Sequence, residues 1–370
     1  MIKVLFLIHD LGCGGAEKVL VNLVNHLDKT KFDVTMVSLF GGGVNEQFLN
    51  SDITYKTVFR KSFPGNSKVL KLFSPRFLHK CFIKDRYDIE VSYLEGPSAR
   101  IISGCQDKDI KTLCWIHCTM QSKKEISTGF RSFAEATKCY QSLDNIVFVS
   151  QGTKNAFENL IPLNNKVIVK YNTNETEQIL SLKDEDTEKD VFRQGEVKLC
   201  GVGKILPNKG FDRMARIHKR LKDEGYPVHF YALGVGSDRE KIEAYLKENN
   251  IQDSFTFLGY QTNPYKYVSK CDIFVCASFA EGFSTAATEA LIVGTPVVTT
   301  EVSGMKEMLG ENNEYGIVTD NNEEALYNGI KTLLDNPNLL AHYKEQTKER
   351  GKFFSTENTV KAVEEMFEIL

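Results

Sequence analysis

Residues 281–289 read EGFSTAATE and place two carboxylates, Glu281 and Glu289, around seven residues that carry no charge. The stretch follows the apolar run CDIFVCAS (271–278) and leads into ALIVGTPVVTT (290–300). The first run is typical of a buried strand, and the small and apolar residues after it favour a helix that begins near Ser284. At regular helical pitch, Glu289 lies about two turns into that helix. The stretch therefore predicts a strand, a loop and a helix, the repeating unit of an α/β fold.

The same order recurs along the rest of the chain. Near the N-terminus the strand-like KVLFLI (3–8) is followed by the glycine loop GCGG, by a helix pattern in AEKVLVNLVNHL and by the strand-like FDVTMVSLF. Further strands are predicted in 88–94, 111–117, 145–150 and 166–171, and a second series begins at VKLCGVGKI (197–205). Strands alternating with helices indicate parallel sheets, so we predict an α/β chain with two doubly wound, Rossmann-like domains.

The domain boundaries follow from composition. We assign 1–172 to the first domain, the polar and charged segment 173–195 to a linker region, and 196–352 to the second domain. The amphipathic tail, about 353–370, is expected to pack back on the first domain. Ligands of doubly wound sheets bind beyond the carboxyl ends of the strands. We therefore expect an active site in a cleft between the domains.

Bulk properties narrow the function classes. The chain has 370 residues and a net charge of -3, which gives no basic field for nucleic acid. Its nine cysteines form no spacing set typical of zinc, so we expect no metal site and free thiols in a reducing cytoplasm. The N-terminal apolar run is short and is interpreted as a strand rather than a signal peptide. The sequence contains no run of about 18 apolar residues, so no transmembrane helix is predicted.

Two segments carry chemistry when they are taken together. The free backbone N–H groups and the positive dipole end of a helix beginning near Ser284 suit a diphosphate. Lys204 and Lys209, in GKILPNKGFD (203–212), add cations that neutralise such a leaving group. Glu281 and Glu289 are acceptors for sugar and ribose hydroxyls. On spacing alone, the alternative is favoured in which Glu281 only complements the helix N-terminus and Glu289 is solvated.

The order of these motifs resembles that of the retaining nucleotide-sugar glycosyltransferases of family four (group 1), which have the GT-B architecture. The matching segments cover nearly the whole chain. They are GGAEKVL (14–20), VGKILPNKGFD (202–212), ALGVGSDREKIEAYL (232–246), FLGY (257–260), FAEGFSTAATEAL (279–291) and GTPVVTT (294–300). The resemblance implies transfer of a sugar from a nucleotide diphosphate, with UDP the expected nucleotide, and with no metal or cofactor.

The resemblance also implies roles for individual residues in the second domain. Lys209 holds the donor phosphates, and Lys204 stands where the family more often has arginine, so the charge is kept but the bidentate geometry is lost. Glu281 binds hydroxyls of the donor sugar, and Glu289 binds the ribose. Leu258 and Gly259 lie where the nucleobase of the donor packs. The last donor-binding positions are at the start of the helix, namely Gly282, Phe283, Ser284 and Thr285.

In the first domain, Gly14 and Gly15 form the loop that faces the donor, where a Cβ would obstruct the phosphates or the acceptor. His117 ends the strand-like KTLCWIH, and by resemblance it lies near the reacting part of the donor sugar; the alternative is a structural histidine. We predict that His117, Lys209 and Glu281 are the catalytic residues. Glu95 is a candidate acceptor contact, although an ordinary loop acid is the simpler interpretation.

Residues 59–86 combine basic and aromatic side chains. Eight lysines and arginines between Arg60 and Arg86 stand against one acid, Asp85, with five phenylalanines interleaved. Phe73, Phe77 and, in part, Leu70 fall near one predicted helical face. This region either contacts anionic lipid headgroups or places its aromatics in the core with solvated cations around them.

The predicted function is transfer of a sugar to an acceptor hydroxyl in the assembly of a bacterial surface polysaccharide or lipid-linked glycan. Such an enzyme would be cytoplasmic and could sit on the inner face of the plasma membrane. Two alternatives remain within the architecture, a nucleotide-sugar epimerase and a noncatalytic sugar-nucleotide or glycan-binding protein. A nicotinamide oxidoreductase is a third and weaker alternative. The glycine loop G-C-G-G-A-E has Glu17 where a dinucleotide-binding fingerprint requires glycine.

Overall fold

A computed structural model describes residues 1–164, 166–189 and 191–370 and divides the chain into two compact units. The N-terminal unit comprises Met1–Asn174 and Thr356–Leu370, and the C-terminal unit comprises Glu175–Ser355. Each unit contains one parallel sheet with helices around it. The prediction of two Rossmann-like domains is therefore confirmed.

The N-terminal unit is built on a seven-stranded sheet with the order β3-β2-β1-β4-β5-β6-β7. All its paired strands are parallel. The order reverses at the β1–β4 pair, which is the topological switch point of this sheet. Its strands are β1 (Ile2–Ile8), β2 (Phe32–Phe40), β3 (Thr54–Phe59), β4 (Ile89–Ser92), β5 (Lys111–Ile116), β6 (Asn145–Phe148) and β7 (Lys166–Val169).

Helices of the N-terminal unit connect these strands and bury their apolar faces against the sheet. In the first helix the predicted periodicity is realised, because Val19, Leu20, Leu23 and Val24 are all buried. The helices are α1 (Gly15–His26), α2 (Asn66–Leu72), α3 (Pro75–Phe82), α4 (Pro97–Ile102), α5 (Lys123–Ile126), α6 (Phe133–Ser142) and α7 (Gln151–Glu158).

The C-terminal unit has a six-stranded sheet with the order β10-β9-β8-β11-β12-β13. Its strands are β8 (Val197–Val202), β9 (Val228–Leu233), β10 (Phe255–Gly259), β11 (Ile273–Cys276), β12 (Val297–Thr300) and β13 (Ile317–Thr319). Its helices are α8 (Thr176–Leu182), α9 (Phe211–Asp223), α10 (Arg239–Glu248), α11 (Tyr265–Val268), α12 (Thr285–Val293), α13 (Met305–Leu309), α14 (Glu323–Asp335) and α15 (Pro337–Phe353). The β8–β11 pair is the switch point of this sheet.

The polar segment assigned from sequence to a linker contributes to the C-terminal unit. Helix α8 packs against α11 and α12. Tyr267 donates a hydrogen bond from its hydroxyl to Glu188 at 2.5 Å, and Asn263 donates to the carbonyl of Leu182 at 2.9 Å. The charged side chains of this segment therefore lie on a folded part of the C-terminal unit. Asp190 lies outside the described residues.

The last helix, α16 (Thr356–Glu368), belongs to the N-terminal unit. Phe367 packs against Phe6 at 6.0 Å and against Phe32 at 5.9 Å between ring centroids. Phe353, which the sequence placed in this tail, is instead the last residue of α15. None of the helices in the described part of the chain combines the length and the apolar character needed to cross a bilayer.

Candidate functional site

The loops that carry the predicted donor-binding residues meet at the carboxyl edge of the C-terminal sheet. Strands β8 and β11 are hydrogen-bonded neighbours, with Leu199 opposite Ile273 and Cys200 opposite Phe274. The lysine loop follows β8, and the loop of Glu281 follows β11. Because both loops leave the switch point of the same sheet, residues 72 positions apart in sequence become neighbours.

The lysine loop is fixed against the end of β11 by backbone contacts. A 3₁₀ turn, Pro207–Lys209, ends at Gly210, whose φ of 70° favours glycine. A Cβ at Gly210 would lie 2.0 Å from the carbonyl oxygen of Ala277. The amide of Phe279 donates to the carbonyl of Asn208 at 2.9 Å. Lys209 is thus held at a defined place by the two loops.

Lys209 and Glu281 form an ion pair at this edge. The Lys209 ammonium donates to Glu281 Oε1 at 2.6 Å, and the Ser278 hydroxyl donates to the same oxygen at 2.6 Å. The side chains of Lys209 and Glu281 are 29% and 12% exposed, so the pair is shielded but reachable. Thr300 supports the loop by donating to the carbonyl of Ser278 at 2.7 Å. The fold thus brings together the acid predicted to bind sugar and the lysine predicted to bind phosphate.

Helix α12 begins beside this pair, as the sequence indicated. Ser284 is its N-cap, and the Ser284 hydroxyl accepts a hydrogen bond from the amide of Ala287 at 3.3 Å. The side chain of Phe283 is buried and packs on Phe354 at 5.7 Å, so its contribution to a ligand would come from the backbone. Gly282, before the N-cap, and Thr285, the first residue of α12, are half-buried. The first amides of such a helix have no intrahelical acceptor and can bind an anion.

Glu289 lies on the first half of α12 and is half-buried. The hydroxyl of Tyr265, at the start of α11, donates to Glu289 Oε1 at 3.1 Å. This contact orients the carboxylate. Sequence analysis missed both Tyr265 and Ser278, because their partners are 24 and 3 positions away and neither lies in a motif that carries charge.

The remaining predicted donor positions lie at the ends of β8 and β10. The amide of Gly234, which follows β9, donates to the carbonyl of Gly259 at 2.7 Å. A Cβ at Gly234 would lie 1.9 Å from the carbonyl oxygen of Gly203, so the loops after β8, β9 and β10 touch one another. Leu258 is half-buried, and Lys204 is exposed. Within the described residues Lys204 forms no ion pair.

A corresponding edge in the N-terminal unit gathers the other predicted residues. Gly14 is the N-cap of α1 and Gly15 is its first residue, and both follow β1. The Glu17 carboxylate lies over Gly14, where a Cβ would be 1.9 Å from Glu17 Oε2. His9 is hydrogen-bonded to Asp10 at 2.6 Å, which is the main reason that the pKa of Asp10 is lowered. The glycine loop is therefore a crowded turn beside acids.

His117 directly follows β5 and is buried. Its amide donates to Glu95 Oε2 at 3.0 Å, and its ring lies 4.8 Å from that of Tyr93. Burial lowers the pKa of His117 to about 3, so the imidazole is neutral at physiological pH, and its Nε2 has no hydrogen-bond partner within the described residues. Burial also raises the pKa of Glu95. A buried polar atom without a partner is costly, and His218 Nδ1 in the C-terminal unit is another such atom within the described residues.

The basic and aromatic stretch forms two helices instead of one. Helix α2 ends at Leu72, and Ser74 caps α3, which begins at Pro75. The prediction of one shared face is wrong for Leu70, which is buried in the core, whereas Phe73 and Phe77 stack with centroids 5.1 Å apart. Arg100 and Arg131 donate to the last carbonyls of α2, and Arg100 also pairs with Glu135 at 2.9 Å.

The exposed part of this stretch is both apolar and basic. Four apolar side chains are exposed, namely Val69 at 42%, Leu72 at 75%, Phe73 at 41% and Phe77 at 50%. Exposed cations accompany them at Lys68, Arg76 and Lys80. By contrast, Phe59, Phe63 and Phe82 pack on the hydrophobic core. We call the exposed set 68–80 the aromatic-basic surface.

Potential metal ligands cluster away from the two carboxyl edges. In the described ranges, the groups of at least three His, Cys, Asp or Glu ligands that could hold an ion do not include either carboxyl edge. The cluster that does form, His79 with Glu90 and Cys105, lies elsewhere in the N-terminal unit and was not expected from the sequence.

Comparison with known families agrees with this geometry. Residues 13–178 match the family model of Glycosyltransferase Family 4, and residues 183–350 match that of Glycosyl transferases group 1. The two matches together span most of the chain; the first includes strands β2 to β7 of the N-terminal sheet, and the second includes all six strands of the C-terminal sheet. The chain belongs to the group 1 glycosyltransferases, and the two Rossmann-like domains are those of the GT-B fold.

Individual relatives extend the likeness over the full chain. A Campylobacter jejuni protein, the N-acetylgalactosamine-N,N'-diacetylbacillosaminyl-diphospho-undecaprenol 4-alpha-N-acetylgalactosaminyltransferase, is 28% identical over 96% of both chains. Anabaena HepE, solved in complex with UDP and glucose, matches with a TM-score of 0.77 at 16% identity over 100% of both chains. A TarM variant from S. aureus, solved with UDP, matches with a TM-score of 0.75 at 14% identity over 99% of this chain and 100% of that one.

Proposed function

We propose that this protein is a retaining glycosyltransferase that moves a sugar from a UDP-sugar to a hydroxyl of a lipid-linked glycan. The observation that carries the proposal is the Lys209–Glu281 pair, 2.6 Å between Nζ and Oε1, beside the N-terminus of α12. A cation, a helix start and a carboxylate at the switch point of a parallel sheet match the needs of a sugar diphosphate. The phosphates require positive charge, and the sugar requires a hydrogen-bond acceptor.

Each donor group is assigned a contact. Lys209, Lys204 and the α12 amides bind the diphosphate, while Glu281 accepts hydrogen bonds from the sugar hydroxyls. Glu289, oriented by Tyr265, accepts from the ribose. Leu258 and Gly259 contact the nucleobase. Because Lys209 and Glu281 are already paired and partly shielded, donor binding exchanges one set of charge-assisted hydrogen bonds for another rather than creating a buried charge.

The reaction follows from these contacts. The bond between the anomeric carbon and the diphosphate oxygen breaks, the acceptor oxygen forms the new glycosidic bond on the same face, and the acceptor proton passes to the departing diphosphate. Growing negative charge on the leaving group is offset by Lys204, Lys209 and the α12 amides. Neutral His117 contacts a hydroxyl of the reacting sugar. Since these groups supply the charge, we expect transfer to persist in the presence of a chelator.

The acceptor class rests on the Campylobacter jejuni relative. Its name describes transfer of N-acetylgalactosamine to a sugar linked through diphosphate to undecaprenol, and the match spans 96% of each chain. We therefore propose a polyprenyl diphosphate-linked glycan as the acceptor and the inner face of the plasma membrane as the place of reaction.

The test is a donor and acceptor screen on the purified protein. UDP-sugars are expected to raise its melting temperature more than NAD does, and mass spectrometry is expected to detect an acceptor that has gained one sugar. Linkage analysis by NMR then reports whether the anomeric configuration is retained. Release of an isomerised free sugar without an acceptor would indicate an epimerase, and binding without turnover of any acceptor would indicate a binding protein; either result contradicts the proposal.

We further propose that the aromatic-basic surface contacts anionic lipid. Exposed Leu72 and stacked Phe73 and Phe77 supply apolar contact area beside the cations of Lys68 and Lys80. Each basic residue near an anionic membrane contributes about 1 kcal/mol. Placing this surface on the bilayer would bring a lipid-linked acceptor to the unit that carries His117.

Vesicle sedimentation tests this contact. Charge reversal at Lys68, Lys71 and Lys80 should weaken binding to vesicles that contain phosphatidylglycerol and leave binding to neutral vesicles low. Charge reversal at exposed Lys241, Lys247 and Lys352 in the C-terminal unit changes the net charge equally and serves as the control. Equal effects of the two triple variants would attribute the binding to net charge and would contradict a localised surface.

A further inference from the structure

A cluster of three potential metal ligands lies outside the carboxyl edges of both sheets. His79 is on α3, Glu90 is the second residue of β4, and Cys105 follows α4. Glu90 is near the amino end of its strand, whereas Glu95 and His117 follow the carboxyl ends of β4 and β5. The fold thus brings together three side chains that are 11 and 15 positions apart, and the proposed transfer reaction uses none of them.

The cluster presents three kinds of ligand atom. One nitrogen, one oxygen and one sulfur, from His79, Glu90 and Cys105, lie within 4.8 Å of one another. His79 Nε2 is 2.7 Å from Glu90 Oε2. Tetrahedral zinc, with bonds of about 2.0–2.3 Å, needs its ligand atoms about 3.3–3.8 Å apart. Bringing this set to that spacing takes side-chain shifts of about 1 Å.

Burial makes the cluster more than a surface coincidence. The side chain of Glu90 is 1% exposed and that of His79 is 15% exposed. A cavity of about 460 Å³ opens onto all three residues, and its wall also carries the acids Asp85 and Asp107 and the cations Arg76, Lys80, Lys84 and Arg86. The cavity gives an ion a route of entry and leaves space for a solvent molecule as fourth ligand.

A proton is the competitor of a metal at this place. The Glu90 side chain is 1% exposed and its Oε2 lies 2.7 Å from His79 Nε2, so a proton held between these two atoms is what a metal ion would displace. With a thiolate and a carboxylate as ligands, a divalent cation balances the same site without that proton.

We propose that His79, Glu90 and Cys105 bind one Zn²⁺ ion, with the fourth position open to the cavity. The donor set of imidazole, thiolate and carboxylate selects zinc or a similar transition ion over magnesium and calcium, which prefer oxygen ligands alone. The ion joins α3 to β4 and to the segment after α4. Because α3 also carries Phe77 and Lys80, metal occupancy stabilises the position of part of the aromatic-basic surface. The proposal does not depend on the transfer reaction.

The experiment uses the full-length protein, freed of metal with a chelator and titrated with Co²⁺ as a spectroscopic substitute for Zn²⁺. We expect one equivalent to bind with a thiolate-to-cobalt charge-transfer band, and Zn²⁺ to displace it. Cys105→Ser should abolish the band, and His79→Gln should weaken binding by more than the about 10- to 100-fold typical of an outer-shell change. Cys81→Ser is the matched control, because Cys81 is a half-buried thiol on the same helix and should leave the band unchanged.

A second measurement needs no variant. Zn²⁺ should protect Cys105 from alkylation in the wild-type protein, while Cys13 and Cys118, which are exposed, stay reactive; peptide mass spectrometry reads this out. Absence of one-equivalent binding, a band that survives in Cys105→Ser, or equal alkylation of Cys105 with and without Zn²⁺ would overturn the proposal. In that case the cluster is a buried His79–Glu90 ion pair beside a thiol.

Discussion

Glu95 and Glu281 occupy matching places in two similar sheets, and their partners differ. Each acid lies in the loop that follows the strand across the switch point, β4 in one unit and β11 in the other. Glu281 accepts from the ammonium of Lys209 and from the Ser278 hydroxyl, whereas Glu95 accepts from the backbone amide of His117. A side chain can move aside for a ligand, but a backbone amide cannot.

From this difference we infer separate tasks for the two edges. At the C-terminal edge the Lys209 ammonium and the Glu281 carboxylate are paired through their side chains, which are 29% and 12% exposed. At the N-terminal edge Glu95 accepts a hydrogen bond from the backbone amide at the end of β5, and the His117 imidazole is neutral. We infer that the first edge handles the diphosphate and the second handles an uncharged hydroxyl.

Breaking the charged edge should have the largest effect. Lys209→Ala and Glu281→Ala are each expected to lower kcat about 10²- to 10³-fold, because either change removes a group that stabilises or positions the donor. Lys219→Ala, which removes an exposed ion pair with Asp223 on the outer side of α9, is the control and should keep full activity. Initial rates with saturating donor measure the effect. Turnover like that of the wild type in either edge variant, with an unchanged circular dichroism spectrum, would contradict the donor assignment.

Replacing His117 at the N-terminal edge should lower the activity less. His117→Ala removes one hydrogen bond to an uncharged group, for which about 1–2 kcal/mol, or about 5- to 30-fold in kcat/KM, is expected. His117→Asn should recover part of the loss, since the amide can still donate and accept. Because the pKa of His117 is about 3, its protonation should leave no step in the rate between about pH 6 and 8. A rate that follows a group titrating near pH 6.5 and that loses this dependence in His117→Ala would show that the imidazole acts as a titrating base.

A subtler change separates orientation from charge at the donor edge. Tyr265→Phe removes the hydroxyl that donates to Glu289 but keeps the carboxylate. Because Tyr265 only orients a carboxylate that the variant keeps, we expect the about 0.5–1.5 kcal/mol of an ordinary hydrogen bond, which raises the KM for the donor about 2- to 10-fold with kcat little changed. Glu289→Gln should raise KM at least as much. An unchanged KM in both variants would remove Glu289 from the donor site.

The fold was predicted from the sequence because it depends on local patterns, and the structure brings Lys209 and Glu281 into contact, whereas their roles toward a donor stay predictions. Apolar runs, glycine turns and the helix start near Ser284 are readable within windows of about ten residues, and the family motif joins Lys209 to Glu281. Other features depend on long-range packing. The break at Pro75 that separates Phe73 from α3, the burial of Leu70 and the contact of Tyr265 with Glu289 all needed the folded chain. The same holds for the cluster of His79, Glu90 and Cys105, whose spacing matches no metal motif.

The smallest expected effect is the loss of folding stability at low pH, which a buried histidine in each unit should cause. His117 in the N-terminal unit and His218 in the C-terminal unit both have their pKa lowered to about 3, chiefly by burial. In the unfolded chain each titrates near pH 6.5, so between about pH 6.5 and 3 the unfolded state binds a proton that the folded state does not. The free energy of unfolding therefore falls as the pH falls, by about 1 kcal/mol for each histidine between about pH 7 and 5.5. His117→Asn should remove this loss from the unfolding of the N-terminal unit, and His218→Asn from that of the C-terminal unit, measured by urea unfolding at the two pH values. An acid dependence that is the same in both variants and in the wild type would show that neither histidine is held neutral.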